Sequence, residues 1–371
     1  MRISLSKSDI TFGVAPDQSL LDAALGASLN LPHSCKSGNC GSCRARLLQG
    51  EIHYPNGPPL GLSETEVADG LVLLCQARAR SDLRIEIFEV STPDQARTKR
   101  LPARIERALP LSHDVIGLYL RLPVAEAFRF EAGQYIDIML SGGRRRSFSI
   151  ASPPHDARLL ELHVRRAAGG EFSERLFDQS PQNALLTIEG PLGQFVYRPR
   201  GATPRAVAPG VPLPGIAAPA VAPMLLVGGG TGLAPLLSIL RHVIENGIER
   251  DMTLYWGVRS ERDLYAHAAI EDLAQRGAAE GRSARLRYVP VLSEPSPDWR
   301  GRGGFVHEAV LKDIDDLEKY DVYAAGPPAM ITAVRSEFGR RGVAADRLFF
   351  DSFDYAPDTL DRQRMSAATK S

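Results

Sequence analysis

The chain has 371 residues, more than one ordinary domain uses and enough for two or three domains with separate cores. Hydrophobic residues make up 44% and charged residues 24%, the balance of a folded protein rather than a disordered one. Lys plus Arg number 44, as do Asp plus Glu, so the net charge is zero and nothing favours a nucleic-acid partner. The opening MRISLSKSDI lacks the apolar core of a secretory signal, and no stretch reaches the roughly 18 apolar residues of a membrane span. A cytoplasmic protein is expected, in which the four cysteines serve as metal ligands or redox groups rather than structural disulfides.

Residues 1–90 hold all four cysteines together with short alternating runs such as Arg84-Ile85-Glu86-Ile87-Phe88, typical of half-buried strands. A helix is expected over Ser19–Leu29, its apolar stripe formed by Leu20, Leu21, Ala24, Leu25 and Ala27. Cys35, Cys40 and Cys43 are spaced C-x4-C-x2-C and Cys75 lies far downstream, the plant-type [2Fe–2S] pattern. Three thiolates converging on one small cluster require a tightly wrapped loop, and Gly38 and Gly41 allow the backbone angles this needs. Wrapping also turns backbone N–H groups toward the anionic cluster sulfurs. The alternatives are a zinc knot or unligated thiols, but zinc sites favour paired C-x2–4-C knuckles and only one short pair is present.

The polar, proline-interrupted stretch 91–102 reads as a linker. Residues 103–198 read as strands at Val115–Leu122, Gln134–Leu140, Ser147–Ala151, Leu159–Arg165 and Ala184–Glu189, with a helix from Glu171 to Asp178. Many short strands with turn signals indicate an antiparallel barrel. Residues 199–223 carry seven prolines and almost no charge, and read as a semi-extended spacer or a partner-docking segment.

From residue 224 to 355 apolar strands alternate with amphipathic helices. Strands are expected at Met224–Val227, Thr253–Val258, Leu286–Leu292, Val322–Ala325 and Leu348–Phe353. Helices are expected at Ala234–Glu245, Leu264–Gln275, Val306–Ile314 and Ala329–Arg340. This order gives an α/β domain with a parallel sheet. Residues 356–371 form a C-terminal tail.

Three motifs in these two domains carry chemistry. FEAGQYIDIML (130–140) precedes GRRRSFSIAS (143–152), followed by HVRRAAGGEFSERLF (163–177) and GPLGQF (190–195). VGGGTGLAP (227–235) lies between a strand and a helix, where glycines admit a ligand close to the backbone and the helix terminus favours a pyrophosphate. It departs from the G-x-G-x-x-G fingerprint because position 233 is leucine. AAGPPAM (324–330) stands at a later strand end. Residues 1–90 resemble plant-type ferredoxin domains, and residues 103–355 resemble the ferredoxin–NADP reductase superfamily. Together the chain is similar to the reductase components of ring-hydroxylating and related aromatic oxygenases.

That resemblance implies a multi-domain fold: a β-grasp ferredoxin domain, an antiparallel β-barrel FAD-binding domain and an α/β NAD-binding domain. Arg146 would pair with the flavin pyrophosphate, to which a guanidinium fork is matched. Phe148 would pack on the isoalloxazine, and Ser149 would hydrogen-bond near flavin N5. His163, Val164 and Arg165 would line the flavin, with Gly170 and Ser173 at a phosphate-binding helix start. FAD is implied over FMN by the family alone. Gly228, Gly229, Gly230, Thr231 and Gly232 would accept the nicotinamide half of the nucleotide, flanked by Gly326, Pro327 and Pro328. Relatives often carry cysteine before the G-P-P turn, where this chain has Ala325. Phe353 would cover the nicotinamide-facing side of the flavin.

In VLSEP (291–295), NADPH-specific relatives place Ser-Arg where this chain has Ser293-Glu294. A carboxylate there repels a 2′-phosphate and can accept from a ribose hydroxyl, although Arg259 lies on a nearby strand end. The expected donor is therefore NADH. Electrons would pass to FAD, then singly to [2Fe–2S], then to a terminal oxygenase or a small ferredoxin through a transient contact of a monomer. The reductase of a deoxysugar dehydrase shares this layout, and a non-enzymatic redox sensor is the reading from another class.

Overall fold

The computed structural model describes residues 1–362 apart from 7, 28, 30, 32, 34, 35, 37, 39, 40, 42, 60, 63, 88–97, 125–127, 180, 200–221, 280–284, 354–358, 360 and 361. Cys35, Cys40, most of the expected linker, nearly all of the Pro-rich stretch and most of the C-terminal tail therefore lie outside the described residues.

Ile3 and Leu5 alternate with more exposed neighbours on β1 (Arg2–Leu5), and this one-sided pattern recurs in the first of the chain's two units. That unit adds β2 (Thr11–Gly13), α1 (Leu20–Gly26), β3 (Arg44–Gln49), β4 (Ile52–His53), α2 (Glu64–Ala68), β5 (Leu71–Leu73), β6 (Arg78–Ala79) and β7 (Leu83–Ile87). Five strands form a mixed sheet in the order β2-β1-β7-β3-β5, with β1 and β7 parallel. α1 begins where Ser19 Oγ accepts from the Asp22 N–H at 3.0 Å. It stops short of the expected Leu29: Ala27 is its C-cap, and the Leu29 N–H reaches back five residues to the Ala24 carbonyl at 2.9 Å. Leu20, Leu21, Ile3, Ile85 and Leu73 are wholly buried in its core.

The second unit opens with six antiparallel strands: β8 (Lys99–Pro110), β9 (Val115–Arg121), β10 (Tyr135–Met139), β11 (Arg145–Ser149), β12 (Leu159–Arg165) and β13 (Leu185–Leu192). Their order is β11-β10-β13-β8-β9-β12, and an isolated bridge joins Ile150 to Leu162, so the first and last strands of the order also touch. β8 starts at Lys99, inside the stretch read as a linker, because Lys99 pairs with Gly190 and Arg100 with Glu189. α3 (Glu171–Gln179) packs Phe172 and Leu176 into this lobe's core.

The same unit continues with β14 (Met224–Gly229), α4 (Leu233–Glu245), β15 (Met252–Val258), α5 (His267–Ala279), β16 (Leu286–Leu292), β17 (Arg302–Gly303), α6 (Val306–Asp313), β18 (Asp321–Gly326), α7 (Pro328–Arg340) and β19 (Leu348–Ser352), of which Leu348–Phe350 belong to this unit. The sheet order is β17-β16-β15-β14-β18-β19, and β14 runs parallel to both β15 and β18. The direction of winding reverses at β14, the point where open α/β sheets receive ligands at their strand C-termini. α5 starts later than the expected Leu264, because Ser260 and Asp263 cap a separate 3-10 turn over Glu261–Asp263.

Arg250 is 3% exposed, and its charge pairs with Asp321. Its Nη1 donates to the Arg198 carbonyl at 3.0 Å and its Nε to the Ala222 carbonyl at 3.1 Å. One guanidinium thus holds both chain ends that border residues 200–221. Among the described residues no helix is long and apolar enough to cross a membrane.

Candidate cofactor sites

In the first unit, Arg44 of β3 pairs with Leu73 of β5, which places Cys43 and Cys75 just beyond the paired ends of adjacent strands. Both thiols are buried, at 3% and 6% exposure. The Leu74 N–H donates to the Cys43 carbonyl at 3.1 Å. Gln76 Nε2 reaches the Lys36 carbonyl at 2.8 Å, tying the Cys75 segment to the loop that carries the other cysteines. Gly38 and Gly41 have φ of +82° and +72°, the left-handed geometry the tight loop demanded. A Cβ at Gly38 would come within 2.7 Å of Gln76 Cγ.

In the second unit, β11 runs beside β10 with Tyr135 opposite Ser149 and Ile136 opposite Phe148. Alternation along the strand puts Arg146 and Phe148 on one face and Ser149 on the other. Phe148 leans on Phe172, with ring centroids 5.5 Å apart, while Arg146 Nη1 donates to the Arg145 carbonyl at 2.8 Å. Ser149 is 7% exposed, and its Oγ has no hydrogen-bond partner among the described residues. A buried hydroxyl left in this state costs free energy until a ligand satisfies it, so the site fits a polar acceptor or donor such as a flavin ring nitrogen.

The other expected flavin residues are placed less simply. Val164 is fully buried on β12, and Arg165 makes an ion pair with Asp114 at 3.0 Å. His163 does not present a vacant nitrogen: Nε2 lies 3.1 Å from Glu161 Oε1, and Nδ1 lies 3.0 Å from the Tyr265 hydroxyl. Ser173 Oγ accepts from the Ala167 N–H at 3.0 Å and donates to the Gly170 carbonyl at 3.1 Å. Its hydroxyl closes the turn, instead of standing open at the helix start as the motif suggested. Gly170 is required there, because a Cβ would sit 2.7 Å from Ser173 Oγ.

The two glycine motifs meet. Gly228 lies beside Ala325 in the β14–β18 register, and a Cβ at Gly232 would fall 2.1 Å from the Ala325 carbonyl oxygen. A Cβ at Gly229 would come within 2.7 Å of Met330 Sδ and 2.9 Å of Pro327 Cδ. Gly230 has φ of +54°, and its Cα faces the Arg165 guanidinium closely enough to leave a Cβ only 3.0 Å from Nη1. Its carbonyl accepts from the buried Trp256 Nε1 at 2.9 Å. Thr231 is half-buried within the same turn, which leads into α4. The backbone is therefore pressed together from Gly228 to Gly232, and Gly326 with Pro327 forms the opposite wall.

Ser293 and Glu294 are exposed just past β16, and Glu294 Oε1 lies 3.5 Å from Arg259 Nε. Phe353 follows β19 directly and is half-buried. Phe305 was not singled out from the sequence. It is 62% exposed, lies two residues past β17 on the Gly304 turn, and stacks on His307 with centroids 5.9 Å apart. The Gly304 N–H donates to the Leu292 carbonyl at 2.9 Å, so this ring stands close along the chain to the Ser293–Glu294 end of β16. A lone aromatic in the polar run GRGGF was the available signal.

Three families match in succession: the 2Fe-2S iron-sulfur cluster binding domain over residues 3–80, the oxidoreductase FAD-binding domain over 102–197 and the oxidoreductase NAD-binding domain over 226–336. The chain is 35% identical to a CDP-6-deoxy-L-threo-D-glycero-4-hexulose-3-dehydrase reductase of Yersinia pestis, covering 95% of this chain and 98% of that one. It is 34% identical to reductase component 2 of terephthalate 1,2-dioxygenase from Comamonas, covering 96% and 98%. The crystal structure of an Amycolatopsis cytochrome P450 reductase matches with a TM-score of 0.71 at 33% identity, covering 95% and 98%. The chain belongs to the family of iron–sulfur flavoprotein reductases, with 2Fe–2S, FAD-binding and NAD-binding domains in that order. Within that class it is an NADH-dependent oxidoreductase that passes electrons through FAD to a [2Fe–2S] cluster, as the reductase components of oxygenase systems do.

Proposed function

We propose that the protein is the electron-supplying component of an oxygenase system, working as a cytoplasmic monomer through brief contacts with a terminal oxygenase or a small ferredoxin. The observation that carries this reading is full-length similarity to reductases of a dioxygenase, an aromatic O-demethylase and a xylene/toluene monooxygenase. FAD, when bound, supplies the conversion between a two-electron donor and a one-electron cluster. The residues present fit these groups. Cys35, Cys40, Cys43 and Cys75 would ligate the cluster. Arg146 would hold the flavin pyrophosphate, Phe148 would support the ring, and the orphaned Ser149 hydroxyl would bond near N5. His163, Val164 and Arg165 would present the β12 edge, and the Gly170 turn with Ser173 would shape the phosphate end.

Gly228, Gly229, Gly230, Thr231 and Gly232 would cradle the nicotinamide half against Gly326 and Pro327. Ser293 and Glu294 would face the adenosine ribose, and the exposed Phe305 ring would offer its face to adenine. The Ile150–Leu162 bridge supports reading the flavin lobe as a closed barrel, and the β2-β1-β7-β3-β5 order supports a β-grasp first domain. As domains we take 1–90, 103–198 and 224–355, joined by 91–102 and 199–223 and followed by the tail 356–371.

The test is reconstitution. NADH oxidation coupled to substrate hydroxylation should appear when the protein is mixed with an oxygenase encoded beside it. The second reading, supply of electrons to a deoxysugar dehydrase, is favoured by the Yersinia relative. Coupling to a dehydrase and to no oxygenase would establish it instead.

A further inference from the structure

Glu161 and His163 lie on the same face of β12, and their polar atoms form a chain that leaves the flavin lobe. Arg241, on α4, places Nη1 2.5 Å from Glu161 Oε2 and 3.1 Å from the Ala151 carbonyl. Glu161 Oε1 meets His163 Nε2, and His163 Nδ1 meets the Tyr265 hydroxyl. The Tyr265 ring stands edge-on to Trp256, with centroids 5.0 Å apart, and Trp256 Nε1 donates to the Gly230 carbonyl. Ser238, one turn before Arg241 on α4, donates to the Ser152 carbonyl at 2.8 Å. The helix that opens on the glycine turn is thereby fastened to Ala151 and Ser152, two and three residues after Ser149.

Donors converge on Glu161 from both sides of this chain. Burial opposes the charge on Glu161, but the His163 bond and the Arg241 charge outweigh it and hold its carboxyl at about 2, so it is an acceptor only. Burial also pushes the Tyr265 hydroxyl up, so it keeps its proton and can donate it. With its proton on Nε2, the ring donates to Glu161 and its Nδ1 accepts from Tyr265, which satisfies both neighbours at once. With His163 buried and both nitrogens engaged, little freedom remains for the ring to turn.

We propose that His163 is a positioning residue, the middle of a strut Arg241–Glu161–His163–Tyr265 that fixes the Gly228–Gly232 turn in register with the flavin strand. It acts on the nucleotide through Tyr265, Trp256 and the Gly230 carbonyl, and its side chain makes no cofactor contact of its own. Reactions of this kind depend on sub-ångström placement of the donor, so a strut between the two lobes controls rate without touching the reacting atoms. The proposal rests on the assignment of the glycine turn to the nucleotide.

Four variants of the full-length holoprotein test it: His163→Leu, His163→Gln, Tyr265→Phe and Gly229→Ala. The readouts are FAD content, NAD⁺ affinity by calorimetry in the absence of any reductant, and the rate of flavin reduction by NADH. His163→Leu and Tyr265→Phe should retain FAD, bind NAD⁺ roughly tenfold more weakly and reduce flavin roughly tenfold more slowly, with the double variant no worse than either alone. His163→Gln, whose amide can donate to Glu161 and accept from Tyr265, should recover most of both losses. Wild-type NAD⁺ affinity and reduction rate in His163→Leu, beside a weakened Gly229→Ala, would overturn the strut while keeping the turn. Loss of FAD with NAD⁺ affinity intact would overturn it in favour of a direct flavin role for His163. An unaffected Gly229→Ala would instead remove the nucleotide assignment on which the strut depends.

Discussion

Arg259 Nε lies 3.5 Å from Glu294 Oε1, and both side chains are exposed, at 73% and 69%. The pair joins the ends of two neighbouring strands, since the Glu294 N–H also donates to the Arg259 carbonyl at 2.8 Å. A carboxylate and a guanidinium therefore compete for whatever binds there. An exposed ion pair of this kind contributes little to stability, so it can be altered without unfolding the protein. Its consequence lies in which nucleotide is accepted.

Glu294→Arg removes a charge that repels a 2′-phosphate and adds a fork that grips one. Glu294→Ala performs only the first change and leaves Arg259 without its carboxylate. At so exposed a site each part contributes up to about 1 kcal/mol. The ratio of kcat/KM for NADPH over NADH should rise by roughly tenfold or more in the arginine variant and by less in the alanine variant. Most of the change should fall in KM, because the ribose is remote from the reacting carbon. Steady-state kinetics at low salt, where screening is weakest, decides it. An unchanged ratio rules out Glu294 as a selector.

Ser149→Ala separates a flavin role from a structural one by sign. The Ser149 hydroxyl is buried without a partner among the described residues, so alanine removes a group whose desolvation costs about 1 to 3 kcal/mol. The FAD-stripped variant should melt no lower than wild type. With FAD present, affinity and the rate of flavin reduction should both fall. Calorimetric melting of both forms gives the comparison, and a drop in the FAD-free melting temperature would mean that the hydroxyl supports the fold.

Cys75→Ser tests the outlet. Cys75 is buried just past β5 and would be the ligand remote from the cysteine loop. The variant should lose the reduced-state EPR signal of a [2Fe–2S] cluster while keeping FAD. NADH-dependent ferricyanide reduction should survive, and cytochrome c reduction should fall at least tenfold. Wild-type EPR intensity would exclude Cys75 as a ligand.

The sequence made this much legible because the motif glycines and cysteines are imposed by local geometry. Gly38, Gly232 and Gly170 each sit where a Cβ has no space, and such positions leave a pattern along the chain. Strands and helices of the nucleotide lobe were readable for the same kind of reason, since a buried parallel sheet demands continuous apolar runs. The strut was not readable. Glu161, His163, Arg241 and Tyr265 come from three separate segments, and no periodicity distinguishes them from ordinary surface residues. The Ser173 hydroxyl was read as open because a turn that closes on its own serine looks the same in sequence as one that does not. Phe305 was missed because a single exposed ring has no spacing partner.

Glu161 gives the strut a pH dependence. Its folded-state value of about 2 lies below the ordinary 4.5, so it contributes stability in full above pH 4.5 and loses it as pH falls toward 2. A shift of this size corresponds to about 3 kcal/mol. Chemical denaturation followed by tryptophan fluorescence reports the right lobe, because Trp256 and Trp299 are the chain's two tryptophans and both belong to the second unit. Midpoints should fall between pH 5 and pH 3, and Glu161→Gln should flatten that fall. An identical acid slope in the variant would show that other carboxylates govern it.

The Arg250 guanidinium holds the carbonyls of Arg198 and Ala222 together, so what lies between them in sequence begins and ends at one point in space. Length in residues 200–221 is then decoupled from the distance between flavin and nucleotide lobes. The same property makes 200–221 a graft point: a tag, a reporter domain or a tether to an oxygenase can be inserted there without lengthening the path between donor and flavin.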